Sequence, residues 1–408
     1  MRNLCCLVLI VLIACGTKAA PAHPSDDPND YQVDTSVDYN VSFSPVQWVV
    51  PSAGLPKQAE LEASNNNCDI ELFDGRLFLA FRSSETHFAS ENTVMYLVSS
   101  TDNGVTWDFE TKVALGSDVR EPRFLVMNGT LIFHFFQAGT DPLAFEPKAM
   151  WRMKRTAFQQ WTALEQWGRP GEIPWDMKVR GGTAYLQSYA GNHYELHESS
   201  IDVFFQSSTD GWNWQPFDAA HPAVYSGGVS ETGFEFDSTG TLWAALRNED
   251  GDKSGFGTQI CSAAPGSLGT WDCLPRSRPY RADSPKMFRH GKDLYVIGRR
   301  DPVKDYDEGD DATPFDQRKT QYLLDYSGRP KRTALYKVDT TNKELVAVMD
   351  LPGDGDNAFP GVRRTGPHTY LMVNYTSPLD QPDISWLEGQ TGKRGTQIYL
   401  TTLTFAPK

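Results

Sequence analysis

Carboxylates, guanidinium groups and histidines recur along this 408-residue chain at the edges of paired apolar runs. Asp69, Glu121, Lys178, Glu231, Lys286 and Asp356 stand near the start of a first run; Arg82, His134, Tyr189, Arg247, Arg299 with Arg300, and Tyr375 stand at the end of the run that follows. In an antiparallel pair the start of one strand lies beside the end of the next. The expected partners are therefore Asp69 with Arg82, Glu121 with His134, Lys178 with Tyr189, Glu231 with Arg247, Lys286 with Arg299 and Arg300, and Asp356 with Tyr375. The loop after the first pair, Ser83-Ser84-Glu85-Thr86-His87-Phe88, adds two groups able to move a proton, Glu85 and His87. Carboxylates and imidazole supply general acids, bases or a nucleophile, whereas Arg and Lys clamp an anionic group. Glu231, Glu121, His87 and Glu85 are the catalytic candidates. Arg247, Arg82, Arg120, Arg123, Lys178, Lys286, Arg299, Asp69 and Tyr375 are the substrate-binding candidates. Any one pair read singly could instead be a structural ion pair.

What must position these groups is a repeat. Each copy has a polar or charged pair, an apolar strand, a Gly or Asn turn and a second apolar strand, as in Cys68-Asp69-Ile70-Glu71-Leu72-Phe73-Asp74-Gly75. With Asp69, Glu121, Asp176, Glu231, Pro285 and Ala358 as markers, the steps are 52, 55, 55, 54 and 73 residues. A sheet-sized unit at that period predicts an all-β, six-bladed β-propeller of four-stranded antiparallel blades, whose first strands surround one axis. Strands near Val41–Phe43 and Val46–Val50 at one end and Thr396–Leu403 at the other are expected to share the last blade and remove its open edges. The long step reflects an insertion, Asp301 to about Lys331, whose run Asp305-Tyr306-Asp307-Glu308-Gly309-Asp310-Asp311 reads as a solvated acidic face.

Residues 1–15 carry a positive start and the apolar run Leu7–Ile13, too short to be a permanent membrane span. Leu12-Ile13-Ala14-Cys15-Gly16 resembles a bacterial lipobox, with Cys15 the lipidated residue; ordinary secretory cleavage near Ala19-Ala20 is the alternative. Either way the protein is expected to be exported, as a surface or outer-membrane lipoprotein or in secreted form. Residues 16–45 read as an acidic, Pro-rich tether and 46–408 as the propeller. A net charge of −14 argues against nucleic acid and against anionic lipid surfaces as partners. Cys261 and Cys273 flank one hairpin and suit a disulfide in an oxidising compartment. No Cys/His spacing suggests zinc, so neither metal nor cofactor is expected, and the protein is expected to be a monomer.

Ser100-Thr101-Asp102-Asn103-Gly104-Val105-Thr106-Trp107 and the shorter Ser208-Thr209-Asp210-Gly211-Trp212-Asn213-Trp214 match the Asp-box of sialidases and related propellers. Gly227-Gly228-Val229-Ser230-Glu231, followed by Leu242-Trp243-Ala244-Ala245-Leu246-Arg247, resembles the sialidase superfamily most closely. That resemblance, over roughly residues 60–405, implies that Glu231 is the strand-start carboxylate and Arg247 an anion clamp with donors free toward the funnel. In a four-stranded blade the hairpin carrying the Asp-box is expected on the face opposite the starts of the first strands. The departures are Asn65-Asn66-Asn67-Cys68, where a sialidase has Arg-Ile-Pro, and Phe359, where it has its nucleophilic Tyr. Arg120-Glu121-Pro122-Arg123 resembles the Arg-Asp-Pro element of five-bladed glycosidases.

Three functions follow as expectations: a hydrolase releasing a terminal, anionic sugar from a glycan; a uronate-specific polysaccharide lyase; or a non-catalytic glycan-binding propeller.

Overall fold

The computed structural model describes residues 26–194, 200–307 and 312–408. The charge-run residues 308–311 and the whole export segment with Cys15 lie outside them. Six antiparallel sheets succeed one another along the chain. Blade 1 holds Ser64–Phe73, Arg76–Ser84, Val94–Ser100 and Asp108–Val113. The first two strands of the later blades are Val119–Met127 and Thr130–Gln137, Ile173–Arg180 and Thr183–Gly191, Thr232–Phe236 and Leu242–Asp252, Asp283–His290 and Asp293–Arg300, and Gly361–Gly366 and Thr369–Thr376. Blade 6 is completed by Gln397–Pro407, which pairs with Tyr39–Phe43 and Gln47–Val50 from the other end of the chain. The ring closes by this shared sheet. Because Tyr39–Phe43 is a strand, the proposed tether boundary at residue 45 falls too late; Asp26–Tyr31 also packs on the propeller, as described below.

The sequence explains the blades locally. Asp74-Gly75 and Asn128-Gly129 carry positive φ at both positions, 50° and 71°, then 51° and 69°, the geometry that two-residue hairpins require. Blades stack face to face, so inner strands are apolar on both sides; Leu77 to Phe81 are all at most 3% exposed. Between blades 1 and 2 the rings of Phe78, Phe124 and Phe133 interlock at 6.2 and 5.1 Å. Asp102 accepts from the backbone N–H groups of Val105 and Thr106, and Ser100 Oγ accepts from Gly104 N–H, which closes the Asp-box turn. The box follows the far end of Val94–Ser100, so it lies on the face away from the ends of the second strands. Cys261 and Cys273 are directly paired across a hairpin and disulfide-bonded.

The innermost strands share one irregularity. Their ladders slip at Asn66/Cys68, Arg120/Arg123, Pro174/Asp176 and Asp283/Lys286. Asn67, Glu121 and Ser284 at three of these bulges, and Ala358 just before blade 6, have φ of 40°, 53°, 52° and 64°. Such bulges re-aim a side chain, and left-handed non-glycine residues cost about 1–3 kcal/mol each unless their surroundings enforce them. All four line the same cavity.

Candidate active site

The cavity sits at the axis, has a volume of about 390 Å³ and takes residues from every blade, among them Asn67, Glu121, Tyr189, Glu231, Ser284 and Phe359. Its base is closed. Trp175 reaches across the axis to donate its indole N–H to Pro285 O at 3.1 Å; Phe359 packs edge-on against it at 5.0 Å, and the Arg123 guanidinium lies over Phe359 at 4.4 Å.

Two carboxyl groups dominate the wall. Glu231 meets Arg247 Nη1 at 2.8 Å and accepts from Ser284 N–H at 2.9 Å. Glu121 is 8% exposed and its Oε2 has no hydrogen-bond donor among the described residues. Burial pushes the Glu121 carboxyl up to about 8; Arg123 opposes that rise and the nearby Glu231 adds to it. One carboxyl is thus built to hold a proton at neutral pH while its neighbour is paired with a cation, an arrangement that separates acid from base.

The Arg247 guanidinium is ringed by carboxylates that compete with any ligand for its charge, although its Nε and Nη2 make no hydrogen bond among the described residues. Its three edges meet Glu231, Glu249 at 2.6 Å and Asp283 at 3.2 Å. Arg281 closes the group by meeting Glu249 and Asp283 at 3.1 and 3.0 Å. Arg247 is therefore a fixed support for Glu231. Arg299 is the freer cation: it donates to Tyr326 Oη and Asn357 O, at 2.8 and 3.0 Å, and its guanidinium lies 4.6 Å from the Trp386 ring centre. Among the described residues no carboxylate lies within ion-pair distance of it. Arg120 also lines the cavity but is engaged by Asp118 at 2.5 Å and His87 O at 2.6 Å.

A second proton-handling group faces the carboxyls. His87 Nδ1 lies 2.7 Å from Asp356 Oδ2, and Tyr375 Oη donates to Asp356 Oδ1 at 2.9 Å. Burial lowers the His87 pKa, against the pull of Asp356, so the ring is neutral near pH 7. With Nδ1–H given to Asp356, the Nε2 lone pair is left for the cavity.

Several expected site residues lie elsewhere. Glu85 is exposed and is held within its own loop by Ser84, Ser90 and Asn92. Arg82 is fully buried, bridges Asp118 at 2.8 Å and ties down the 86–88 backbone. Asp69, Arg123 and Lys286 sit two residues beyond bulge residues Asn67, Glu121 and Ser284, about 6.6 Å farther along a strand and below the cavity. Asp69 accepts from Phe124 N–H at 2.8 Å. Lys178 and Lys286 both donate to Asp176, at 2.7 and 2.6 Å, and Lys178 faces the opposite mouth of the channel. Tyr189 pairs with Ile173, not Lys178, and does line the cavity. His134 is buried beside Trp167, its ring centre 5.0 Å away, and burial lowers its pKa to about 3.

Sequence reasoning missed the helices. Phe315–Ser327 (α1) lies inside the insertion, just after the acidic run, and brings Leu323 and Ser327 to the cavity. The spacing of Phe315, Lys319, Tyr322 and Tyr326 carries that signal, at 4, 3 and 4 residues. Trp386–Gln390 (α2) starts at Ser385, whose side chain and that of Glu388 form a capping box, and it delivers Trp386 and Gln390. Buried Asp307, also from the insertion, meets Arg318 at 2.7 Å. His193, Glu249 and Asp250 form the one cluster of three metal-capable side chains among the described residues. Arg247, Arg281 and Lys319, the last 3.4 Å from Asp250, already face its carboxylates, which leaves little negative charge for a metal ion.

No protein family and no curated protein matches the chain. Among solved structures, a protein of unknown function from Dyadobacter fermentans is similar over 84% of this chain and 95% of its own, with 12% identity and a TM-score of 0.56. Trypanosoma rangeli sialidase is similar over 89% of this chain and 59% of its own, with 13% identity and a TM-score of 0.52. A mutant of that sialidase displaying trans-sialidase activity gives 12% identity, 91% and 60% coverage, and a TM-score of 0.52. The fold is a sialidase-like six-bladed propeller, and this chain spans about three fifths of the length of those sialidase structures.

Proposed function

We propose that the cavity hydrolyses the terminal glycosidic bond of an anionic sugar on a glycan. Glu121 protonates the departing oxygen, Glu231 is the opposing carboxylate, and Arg299 receives the sugar's acidic group. The observation that carries the reading is Glu121, a buried carboxyl pushed up to about 8 beside a paired Glu231. The plug of Trp175, Phe359 and Arg123 supports attack on chain ends, since a pocket closed below admits a polymer only by its terminus. Phe359 has no group able to form a bond to the sugar, so the reaction runs by water or carboxylate attack. The test is a panel of acidic and neutral glycosides assayed for released sugar with the parent and with Glu121→Gln and Glu231→Gln. Release by the parent alone supports the assignment; equal release by all three overturns it.

A second reading has its own support. Arg299, neutral His87 and Tyr375 joined through Asp356 are the neutraliser and proton carriers that a uronate lyase needs. Unsaturated products absorbing in the ultraviolet would identify it. A purely glycan-binding role predicts tight anionic-sugar binding with neither product. The Leu7–Ile13 run and Cys15 support export with a lipid anchor, and metabolic labelling with a fatty acid, lost in Cys15→Ser, tests that part.

A further inference from the structure

Beneath the plug the axial channel continues to the opposite face as a strongly ionic shaft. Its buried cations are Arg123, Lys178, Arg180, Lys286 and Arg363; its carboxylates are Asp69, Glu71, Asp176 and Glu235. Arg180 is paired with Glu235 at 2.6 Å, and Arg363 with Glu71 at 2.9 Å and Asp69 at 3.5 Å. Lys178 and Lys286 share the single carboxylate of Asp176. Within the shaft itself five cations face four carboxylates, and at the rim Arg289 and Arg364 face Asp26, Asp27 and Asp30 of the N-terminal arm, so the shaft is balanced only with the arm in place. Uncompensated buried charge is expensive, so the imbalance calls for an anion.

The chain's own N-terminal arm supplies one. Asp26 Oδ2 lies 3.5 Å from Arg180 Nη1, and its Oδ1 accepts from the backbone N–H of Arg364 at 3.3 Å. The arm is strapped across three blades: Asp27 accepts from Gly181 N–H at 2.6 Å, Arg289 donates to Asn29 at 2.5 Å, and the Arg364 guanidinium lies 4.1 Å from the Tyr31 ring centre. The Asp26 side chain remains 28% exposed, and a cavity of about 640 Å³ whose charged lining is Asp26, Asp27, Asp30, Glu71, Lys178 and Arg363 opens beside it.

We propose that this lower mouth is a binding site for a small carboxylate or oxyanion, occupied in this structure by the Asp26 side chain. The site is separate from the cavity above, from which Trp175, Phe359 and Arg123 divide it. Burial would raise the Asp26 pKa, yet Arg180, Arg363, Lys178 and Lys286 together hold it below the ordinary carboxylate value, as a filled anion site requires.

Chemical rescue tests the proposal. Thermal unfolding of the full chain and of Asp26→Ala and Asp26→Asn is followed in chloride, formate, acetate and phosphate buffers of matched ionic strength. Both variants should melt below the parent in chloride and recover saturably with formate, acetate or phosphate, while the parent changes much less. Adding Lys178→Met to Asp26→Ala should weaken the recovery, because it removes a cation that the free anion would meet. Glycosidase activity is not part of the readout, so the result stands apart from the function proposed for the upper cavity. Variants that melt with the parent in every buffer, or that no small anion restores beyond its effect on the parent, would overturn the site.

Discussion

Glu121→Gln separates the proposed acid from a merely buried carboxyl, because it should damage activity and improve stability together. The folded-state pKa is about 8 against an ordinary 4.5, so the native protein holds a proton that the unfolded chain has released across that interval. Stability attributable to Glu121 is therefore fully present below pH 4.5, declines as pH rises, and is lost above about 8. Some 3.5 pH units at about 1.4 kcal/mol each set a ceiling of about 5 kcal/mol on this penalty. Glutamine is nearly isosteric and cannot ionise, so Glu121→Gln should escape the decline. With an unfolding entropy near 2.1 cal/mol/K per residue over roughly 380 residues, the gain at pH 9 reaches about 6 °C in melting temperature. Below pH 4.5 the two proteins should melt together. Loss of the general acid should meanwhile lower kcat by about 10²–10⁴, and the alkaline limb near pH 8 in the parent's kcat/KM profile should vanish from the residual activity. Calorimetry across pH and steady-state kinetics on a cleaved glycoside make the measurement. Full turnover in the variant, or a stability–pH curve parallel to the parent's, refutes the reasoning.

Arg299→Lys should raise KM for an acidic sugar about 10–100-fold and leave a neutral analogue unaffected, since an ammonium cannot reproduce the planar fork; equal effects on both substrates would remove Arg299 from anion recognition. His87→Ala and Tyr375→Phe should each lower hydrolysis less than Glu121→Gln does; if they instead abolish the appearance of an ultraviolet-absorbing product, the lyase reading replaces the hydrolase. Cys273→Ser opens a disulfide that closes a 12-residue separation and should cost about 2–3 kcal/mol of stability in denaturant titration, with kcat unchanged, because the bond lies on an outer hairpin away from the cavity.

The contrast between Arg247 and Arg299 shows how far residue order reaches into this site. By spacing both should end a second strand, although the strand of Arg247 runs on to Asp252, and spacing alone ranks Arg247 higher because Glu231 precedes it. What distinguishes them is who else arrives: Glu249 from the same strand and Asp283 from the first strand of the next blade occupy Arg247, whereas Arg299 meets a tyrosine hydroxyl and a carbonyl. The repeat, the hairpin turns and the shared last blade are legible because each is written in local periodicity. The depth of a side chain along the axis is not. Lys286 and Ser284 are two residues apart on one strand, yet one enters the ionic shaft and the other supports Glu231, and a bulge that sequence periodicity does not mark sets which does which. The four left-handed positions make the same point energetically. Glu121 and Ala358 have no intrinsic preference for positive φ, so the closed ring of blades must hold them there, and the conformation that places Glu121 on the cavity wall is a property of the assembled propeller. Chemistry at this axis is therefore set by tertiary constraint acting on ordinary residues, which is why a substitution of Asp283, which does not line the cavity, should disturb Glu231 through Arg247.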